Sequence, residues 1–153
     1  MQAAKVAERQ AESAQLILKQ KYGVPIKIIS EYQNALSTGS GITLWAIFSK
    51  NKDEIDNLNP IRLGADSLGE KGKKSEFIGT EAANNLIREI ESKAPVDKHL
   101  ADQLLAFMAL AARSKIKTSQ ITSHARTNIY VIEEFLGKSF EIDEKESVIS
   151  TVD

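Results

Sequence analysis

The most apolar stretch of the chain is VDKHLADQLLAFMALAA, residues 96–112, which predicts a helix that is buried on most of its sides. The residues at 115–122 alternate like a strand, and those at 125–136 have the spacing of a second helix, with a glycine as its stop. Two short strands are predicted at residues 139–142 and 147–152. The order αβαββ predicts a small α+β layer in which helices cover one face of a sheet.

The residues before Pro95 predict a second small layer with another order of elements. Three segments rich in β-branched and aromatic residues lie between two segments that have apolar side chains at helical spacing. The predicted elements are a helix at 3–21, strands at 25–32 and 42–48, a polar turn at 51–60, a strand at 61–68 and a helix at 77–92. The chain is therefore predicted to be α+β, with an αβββα part in residues 1–94 and the αβαββ part in residues 95–153.

Composition excludes several classes of protein and of site. The 153 residues include 20 Lys and Arg against 21 Asp and Glu, a net charge of −1, so no global positive field attracts nucleic acid or anionic lipid. Because the chain has no cysteine, it has no disulfide, no thiolate nucleophile and no thiolate zinc site. The apolar run at 100–112 is too short to span a membrane, and the charged N-terminus is unlike a signal peptide. We therefore expect a cytoplasmic protein, with Met1 permitting an independent start.

A polar stripe runs along the apolar helix predicted at 96–112. His99, Asp102 and Gln103 share one face of a helical wheel. Polar groups on a buried helix need partners, which are either hydrogen-bonding groups of the protein or a ligand in a pocket. His99 and Asp102, at positions i and i+3, could also hold a metal, but a metal site needs further ligands that this spacing does not offer.

His124 lies where the strand predicted at 115–122 passes into the next helix, within the segment TSHARTN at 122–128. The N–H groups at a helix start and the positive end of the helix dipole accept a phosphate. The same dipole disfavours an imidazolium, which leaves a ring nitrogen with the lone pair that a nucleophile needs. The alternative is a histidine that caps the helix or fills the junction.

Two glycine-containing loops are weaker candidates. The segment TGSG at 38–41 lacks the Gly-Lys-Ser/Thr ending of a phosphate-binding loop, and residues 69–74 are typical of a solvated turn. Lys71, Lys73 and Lys74 in that turn could contact an RNA backbone, although three lysines in a turn are common.

Several segments of the chain resemble, in order, segments of the RNA 3′-terminal phosphate cyclase family. The more specific ones are DKHLADQLL at 97–105 and TSHARTNI at 122–129, which is followed by VIEEFL at 131–136. The others are STGSGI at 37–42 and LGADSLG at 63–69. The resemblance covers nearly the whole chain.

This resemblance implies an ATP-dependent reaction that turns an RNA 3′-phosphate into a 2′,3′-cyclic phosphodiester through a covalent histidine–AMP intermediate. By motif position, His124 resembles the histidine that attacks ATP. Asp102 and Gln103 fall on family positions that line the adenylate pocket, and His99, where some relatives carry tyrosine, falls beside the nucleotide. A divalent cation, usually Mg²⁺, is also implied, because phosphoryl transfer needs the charge of the triphosphate screened.

The resemblance extends only to the C-terminal portion of the family. Residues 1–94 resemble most of its inserted small domain, and residues 95–153 resemble the last βαβαββ repeat of its large domain without the opening strand. The family's metal-binding and RNA-binding residues lie in the N-terminal portion, so the resemblance implies that this portion is a partner and that the isolated chain has little activity.

Two other functions remain open at this point. A non-catalytic relative of the same fold would bind RNA or act in ribosome biogenesis, but that sister group typically lacks the histidine found here at position 124. A small α+β binding module, in which both histidines are structural, would never carry a covalent nucleotide.

Overall fold

The computed structural model describes residues 2–49, 61–111, 113–137 and 139–152. The elements in chain order are a 3₁₀ helix Gln2–Ala4, α1 Val6–Tyr22, β1 Gly41–Ile47, β2 Arg62–Leu68, α2 Ser75–Glu91, α3 Lys98–Leu110, β3 Lys115–Lys117, α4 Ser123–Leu136, β4 Ser139–Asp143 and β5 Val148–Val152. The protein is thus of the α+β class, as its sequence predicts. None of the helices within these ranges combines the length and the apolar character that crossing a membrane requires.

The chain divides into two compact units, of which the first comprises Met1–Ala46 and Gly64–Glu91. In this unit α1 and α2 lie side by side in the same direction. Two ion pairs show this direction, since Arg9 pairs with Glu76 near the helix starts and Lys21 pairs with Glu91 near the helix ends. Small side chains allow a close approach: a Cβ added to Gly79 would lie 2.0 Å from the carbonyl oxygen of Gln10. The buried apolar residues of these helices are Ala14, Leu18, Ile78, Ala82, Ala83 and Leu86.

The predicted strand at 25–32 is wrong. These residues have no regular secondary structure. Within the described residues the sheet of this unit has two strands, β1 and β2, so the first unit has the order αββα. The β-branched residues of the segment favour extended backbone, but a strand also needs a partner edge and a buried face. Ile28 and Ile29 are exposed instead. The turn predicted at 51–60 lies outside the described residues.

The second unit comprises Ile47–Leu63 and Ser92–Asp153 and contains the predicted order αβαββ. Its sheet has the order β3-β5-β4 with both pairs antiparallel. The register aligns Ile149 of the central strand with Ile116 on one side and Ile142 on the other. Ile149 is fully buried in a cluster that its neighbours on α3 and α4 complete, namely Leu105, Met108, Ala125 and Ile129.

The strand predicted at 115–122 is shorter in the structure. β3 ends at Lys117, and beyond it Thr118 forms one parallel bridge with Val96. The chain then turns so that Thr122 precedes α4, which ends at Gly137 with a φ of 62° in the left-handed region. The assignment of residues 1–94 and 95–153 to parts of two family domains stays a prediction.

Candidate nucleotide site at the start of helix α4

The start of α4 has backbone N–H groups without acceptors. Thr122 is the N-cap, and its hydroxyl oxygen accepts a hydrogen bond from the N–H of Ala125 at 3.1 Å. Within the described ranges, no group accepts a hydrogen bond from the N–H of Ser123 or His124, the first two residues of the helix. His124 is exposed at this position. The helix start therefore presents free donors and a histidine side chain to solvent.

Helix α3 begins differently. Its N-cap is Asp97, whose Oδ1 accepts hydrogen bonds from the N–H of His99 at 3.0 Å and from that of Leu100 at 2.8 Å. The carboxylate supplies both the acceptor and the negative charge that a helix start favours. Of these two helix starts in the second unit, only the one at His124 is left for an external anion, because its cap is a neutral hydroxyl.

Asp102 provides the contact between the polar stripe of α3 and helix α4. Its Oδ1 accepts a hydrogen bond from Nδ2 of Asn128 at 2.7 Å. Asn128 lies four residues after His124, so the two side chains share one face of α4 and are about 6 Å apart along the axis. Through Asn128, Asp102 therefore contacts α4 one helical turn after His124. The other carboxylate oxygen of Asp102, Oδ2, accepts no hydrogen bond within the described residues.

The other two predicted site residues are less constrained. His99 and Gln103 lie on α3 on either side of Asp102 and are exposed, and neither side chain forms a hydrogen bond in the part of the chain that is described. Their assignment to an adenylate pocket therefore stays a prediction. The hydrogen bond from Asn128 is compatible with a structural role for Asp102, which links α3 to α4, and with a role in positioning a ligand.

Thr122 and Asn128 are functional candidates to which the sequence alone assigned no role. A threonine directly before a helical pattern is a recognisable N-cap signal. Asn128 could have been identified by its spacing of four residues from His124, but its partner on another helix could not, because spacing does not indicate which helix faces which.

The site is an open helix terminus and not an enclosed cavity. Among the described residues, no three His, Cys, Asp or Glu side chains are close enough together to hold a metal ion. Two surface depressions lie elsewhere, one bordered by Lys115, Glu141 and Ser150 and the other by Gln10 and Tyr32. A ligand at His124 would therefore need further walls to be enclosed.

Comparison with known proteins agrees with the motifs. A model of the family described as RNA 3′-terminal phosphate cyclase matches residues 6–142. The RNA 3′-terminal phosphate cyclase of Thermococcus onnurineus is 46% identical over 138 residues, which are 90% of this chain and 37% of that protein. That of Methanosarcina acetivorans is 46% identical over 146 residues, 95% of this chain and 37% of that protein. That of Pyrococcus furiosus is 45% identical over 139 residues, with coverages of 91% and 37%.

The chain thus spans a little over a third of the length of these curated relatives. The family model covers most of the chain, and the relatives match it along nine tenths of its length at more than 40% identity. The chain belongs to the RNA 3′-terminal phosphate cyclase family.

Proposed function

We propose that this chain supplies the nucleophilic histidine of an ATP-dependent RNA 3′-terminal phosphate cyclase. The observation that carries the proposal is the position of His124 at the start of α4, beside N–H groups that donate to no acceptor among the described residues. The alternative role, a histidine that caps the helix, has less support because Thr122 already performs it.

In the proposed reaction His124 attacks the α-phosphate of ATP. A nitrogen–phosphorus bond forms, the bond from the α-phosphorus to the bridging oxygen breaks, and pyrophosphate leaves with the electron pair. The N–H groups of Ser123 and His124 are available to bind the phosphate oxygens, on which negative charge increases in the transition state. His124 then transfers AMP to the RNA 3′-phosphate, and the neighbouring 2′-hydroxyl displaces AMP to close the cyclic ester.

Asp102 is proposed to lie on the adenylate side of His124. Asn128 holds one oxygen of Asp102, which leaves the other for a donor on the nucleotide. Gln103 and His99, exposed on the same helix, are proposed to lie beside the nucleotide. Asp102→Ala should therefore weaken nucleotide use more than it lowers stability.

The described residues fit a nucleotide phosphate but not a metal. The free N–H donors suit an anion, whereas no cluster of three candidate metal ligands is present within the described ranges. The Mg²⁺ that the reaction requires is therefore proposed to be held by the triphosphate and by residues outside this chain, and it would screen the triphosphate charge.

The substrate and partner of the chain are also part of the proposal. The name of the relatives points to RNA 3′-phosphate ends as the substrate. The chain is proposed to act with polypeptide that corresponds to the N-terminal portion of those relatives, and to have little activity alone. Cytoplasmic location stays a prediction.

The test is covalent labelling with α-³²P-ATP and Mg²⁺. The chain is incubated alone and together with the N-terminal portion of the Methanosarcina acetivorans relative, and the products are separated by denaturing electrophoresis. We expect label on this chain in the mixture that is acid-labile and alkali-stable, as a phosphoramidate is. His124→Ala should remove the label and leave the circular dichroism spectrum unchanged, while Tyr130→Ala serves as the matched control because it removes an exposed ring from the same helix.

Retention of the label in His124→Ala would overturn the assignment of the nucleophile. Absence of label in both incubations, with folding of both polypeptides verified, would favour a non-catalytic relative or an RNA-binding module of the same fold. RNA bearing a 3′-phosphate then provides the second readout, since the complete reaction converts that end into a cyclic ester resistant to phosphatase.

A further inference from the structure

The sheet of the first unit has one face that no helix of that unit covers. The N–H of Gly69 donates to the carbonyl oxygen of Ser40 at 2.8 Å, which sets the pairing of β1 with β2. Burial alternates along both strands, and Ser67 on the inner face donates a hydrogen bond to Glu81 of α2 at 2.5 Å. The outward side chains of β1 and β2 within this unit include Thr43, Trp45, Asp66 and Leu68, which we call the open face.

Trp45 is the most unusual residue of the open face. It is the chain's one tryptophan, and the residue is 59% exposed. Leu68 at the end of β2 is 71% exposed, but Thr43 and Asp66 between them are polar. Ile47, the next outward residue of β1, is 44% exposed, so the ring of Trp45 has one apolar neighbour along the strand and the polar Thr43 on its other side. The exposed ring offers a flat surface on which a base can stack.

Cationic groups follow directly after β2, in the lysine turn, residues 69–74. Lys73 binds Glu70 at 2.8 Å, but Lys71 and Lys74 form no ion pair within the described residues. Phe77 follows at the start of α2 and is 53% exposed, and the Lys73 ammonium lies 5.8 Å from the centre of its ring. Lysines outside ion pairs, close to exposed aromatic rings, are typical of a surface that binds single-stranded nucleic acid.

The distance between these groups suits a short nucleic-acid strand. The pairing places Trp45 opposite Gly64, four residues before Leu68, which is about 13 Å along the strand. A few nucleotides of single-stranded RNA can therefore stack on Trp45 and reach the lysine turn. Asp66, between the two, can accept a hydrogen bond from a base amino group, a contact that discriminates among bases but does not bind phosphate.

We propose that the open face and the lysine turn form a binding site for single-stranded RNA, in which Trp45 stacks with a base and Lys71 and Lys74 contact phosphates. The inference rests on the proposed function, because it assigns a place to RNA upstream of the reacting 3′ end. RNA binding at this site does not depend on His124, since stacking and phosphate contacts do not require a 3′-phosphate at the end of the RNA.

The experiment titrates the full chain with an eight-nucleotide single-stranded RNA that ends in a 3′-hydroxyl. Quenching of tryptophan emission reports on Trp45 alone, and the anisotropy of a dye at the 5′ end of the RNA measures affinity. We expect quenching that saturates together with the anisotropy. Trp45→Ala should weaken binding about tenfold, and Trp45→Phe, which keeps a flat ring, should retain most of the affinity.

The lysines are tested by the salt dependence of the same affinity. Two phosphate contacts contribute about 1.4 to the slope of log affinity against log salt, so Lys71→Ala with Lys74→Ala should reduce the slope by about that amount. Lys19→Ala removes one exposed lysine of the same unit, near the end of α1, and should leave the slope nearly unchanged, because the lysine turn precedes the start of α2. If Trp45→Ala fails to fold, the salt dependence of the lysine variants tests the RNA site by itself, and an unchanged slope would contradict the proposal.

Either of two results would overturn the proposal: no binding by the folded chain, or binding without quenching and with unchanged affinity in Trp45→Ala. Binding by His124→Ala at the original affinity, with its ATP labelling lost, is the expected pattern. If labelling fails in the unmodified protein but quenching by RNA persists, the RNA site stands and the catalytic proposal fails.

Discussion

Single side chains connect segments that are distant in the sequence. The clearest case is Tyr32, the last residue of the segment wrongly predicted as a strand. Its hydroxyl oxygen accepts a hydrogen bond from the N–H of Ala7 at 3.2 Å and donates one to Oε2 of Glu8 at 2.5 Å. Lys5, the N-cap of α1, has a φ of 48° and makes no side-chain cap, so Tyr32 provides an acceptor that the helix start otherwise lacks.

Replacement of Tyr32 by phenylalanine should lower the melting temperature by an amount that depends on pH. The hydrogen bond from Tyr32 is the main reason why the pKa of Glu8 lies below its ordinary value of 4.5. A carboxyl group with a lowered pKa in the folded state contributes stability above its ordinary pKa, and that contribution is lost as the pH falls through the folded value. The difference in melting temperature between the wild type and Tyr32→Phe should therefore narrow below about pH 4.5.

Calorimetric scans from about pH 6 to about pH 3 measure this difference. Tyr130→Phe is the matched control, since that exposed hydroxyl forms no hydrogen bond within the described residues and its loss should have little effect at any pH. A difference for Tyr32→Phe that stays constant across the range would contradict the role assigned to Glu8.

Helices α3 and α4 differ in the charge of their N-cap residues, and this difference determines which helix start can bind an anion. Both begin with a short polar N-cap, but Asp97 carries a charge and Thr122 does not. The negative charge of Asp97 satisfies the positive helix end that an anion would otherwise approach. The uncharged cap on α4 therefore supports the proposed phosphate site as much as His124 does.

The substitution Thr122→Asp should separate helix stability from nucleotide chemistry. An aspartate caps a helix start at least as well as threonine, so the free energy of unfolding should stay equal or rise by up to about 1 kcal/mol. The added carboxylate repels the triphosphate, so ATP-dependent labelling of His124 in the complemented enzyme should fall roughly tenfold.

Thr122→Asn is the matched control, because it caps the helix without a charge and should retain labelling. Thr122→Ala should cost about 1 kcal/mol of stability, as the N–H of Ala125 loses its acceptor. Equal labelling in the aspartate and asparagine variants would show that the phosphate does not approach this helix start.

Across the whole molecule, each of the two units has a core of its own. The first is held by the contact of α1 with α2 around Gly79, and the second by the cluster around Ile149. Units with separate cores can open separately, and hydrogen exchange detects such local unfolding.

We expect Gly79→Ala and Ile149→Ala to destabilise different units. The added methyl group would lie 2.0 Å from the backbone of Gln10, an overlap that should cost about 1–3 kcal/mol and outweigh the helix propensity of alanine. Ile149→Ala removes the side chain from a fully buried site and should cost about 2–5 kcal/mol. Hydrogen exchange should show lost protection in α1 and α2 for the first variant, and in α3, α4 and β5 for the second.

Gly39→Ala is the control for the glycine, because a Cβ at that position would contact no atom within 4 Å. Its free energy of unfolding in urea should stay within about 0.5 kcal/mol of the wild-type value. If both destabilising variants lose protection equally in both units, the chain unfolds as one cooperative body.

The sequence by itself determined the elements whose signals are local. Helix α4 ends before Gly137, as predicted, and α1 ends in the same way before Gly23, because both glycines adopt a positive φ at the helix end. The αβαββ order of the second unit, its alternating strands and the position of His124 at a helix start also followed from patterns within a few residues. The family could likewise be identified, since its motifs are short continuous segments.

Only the tertiary structure decided features that depend on distant partners. Residues 25–32 have the composition of a strand but do not pair, because pairing depends on a neighbouring edge that composition does not describe. The hydrogen bond between Asp102 and Asn128, and the outward position of Trp45, likewise follow from which helix packs against which surface. Local sequence specifies the conformation of each segment, but the burial of nonlocal apolar surface selects the arrangement of the segments and thereby the side chains that meet.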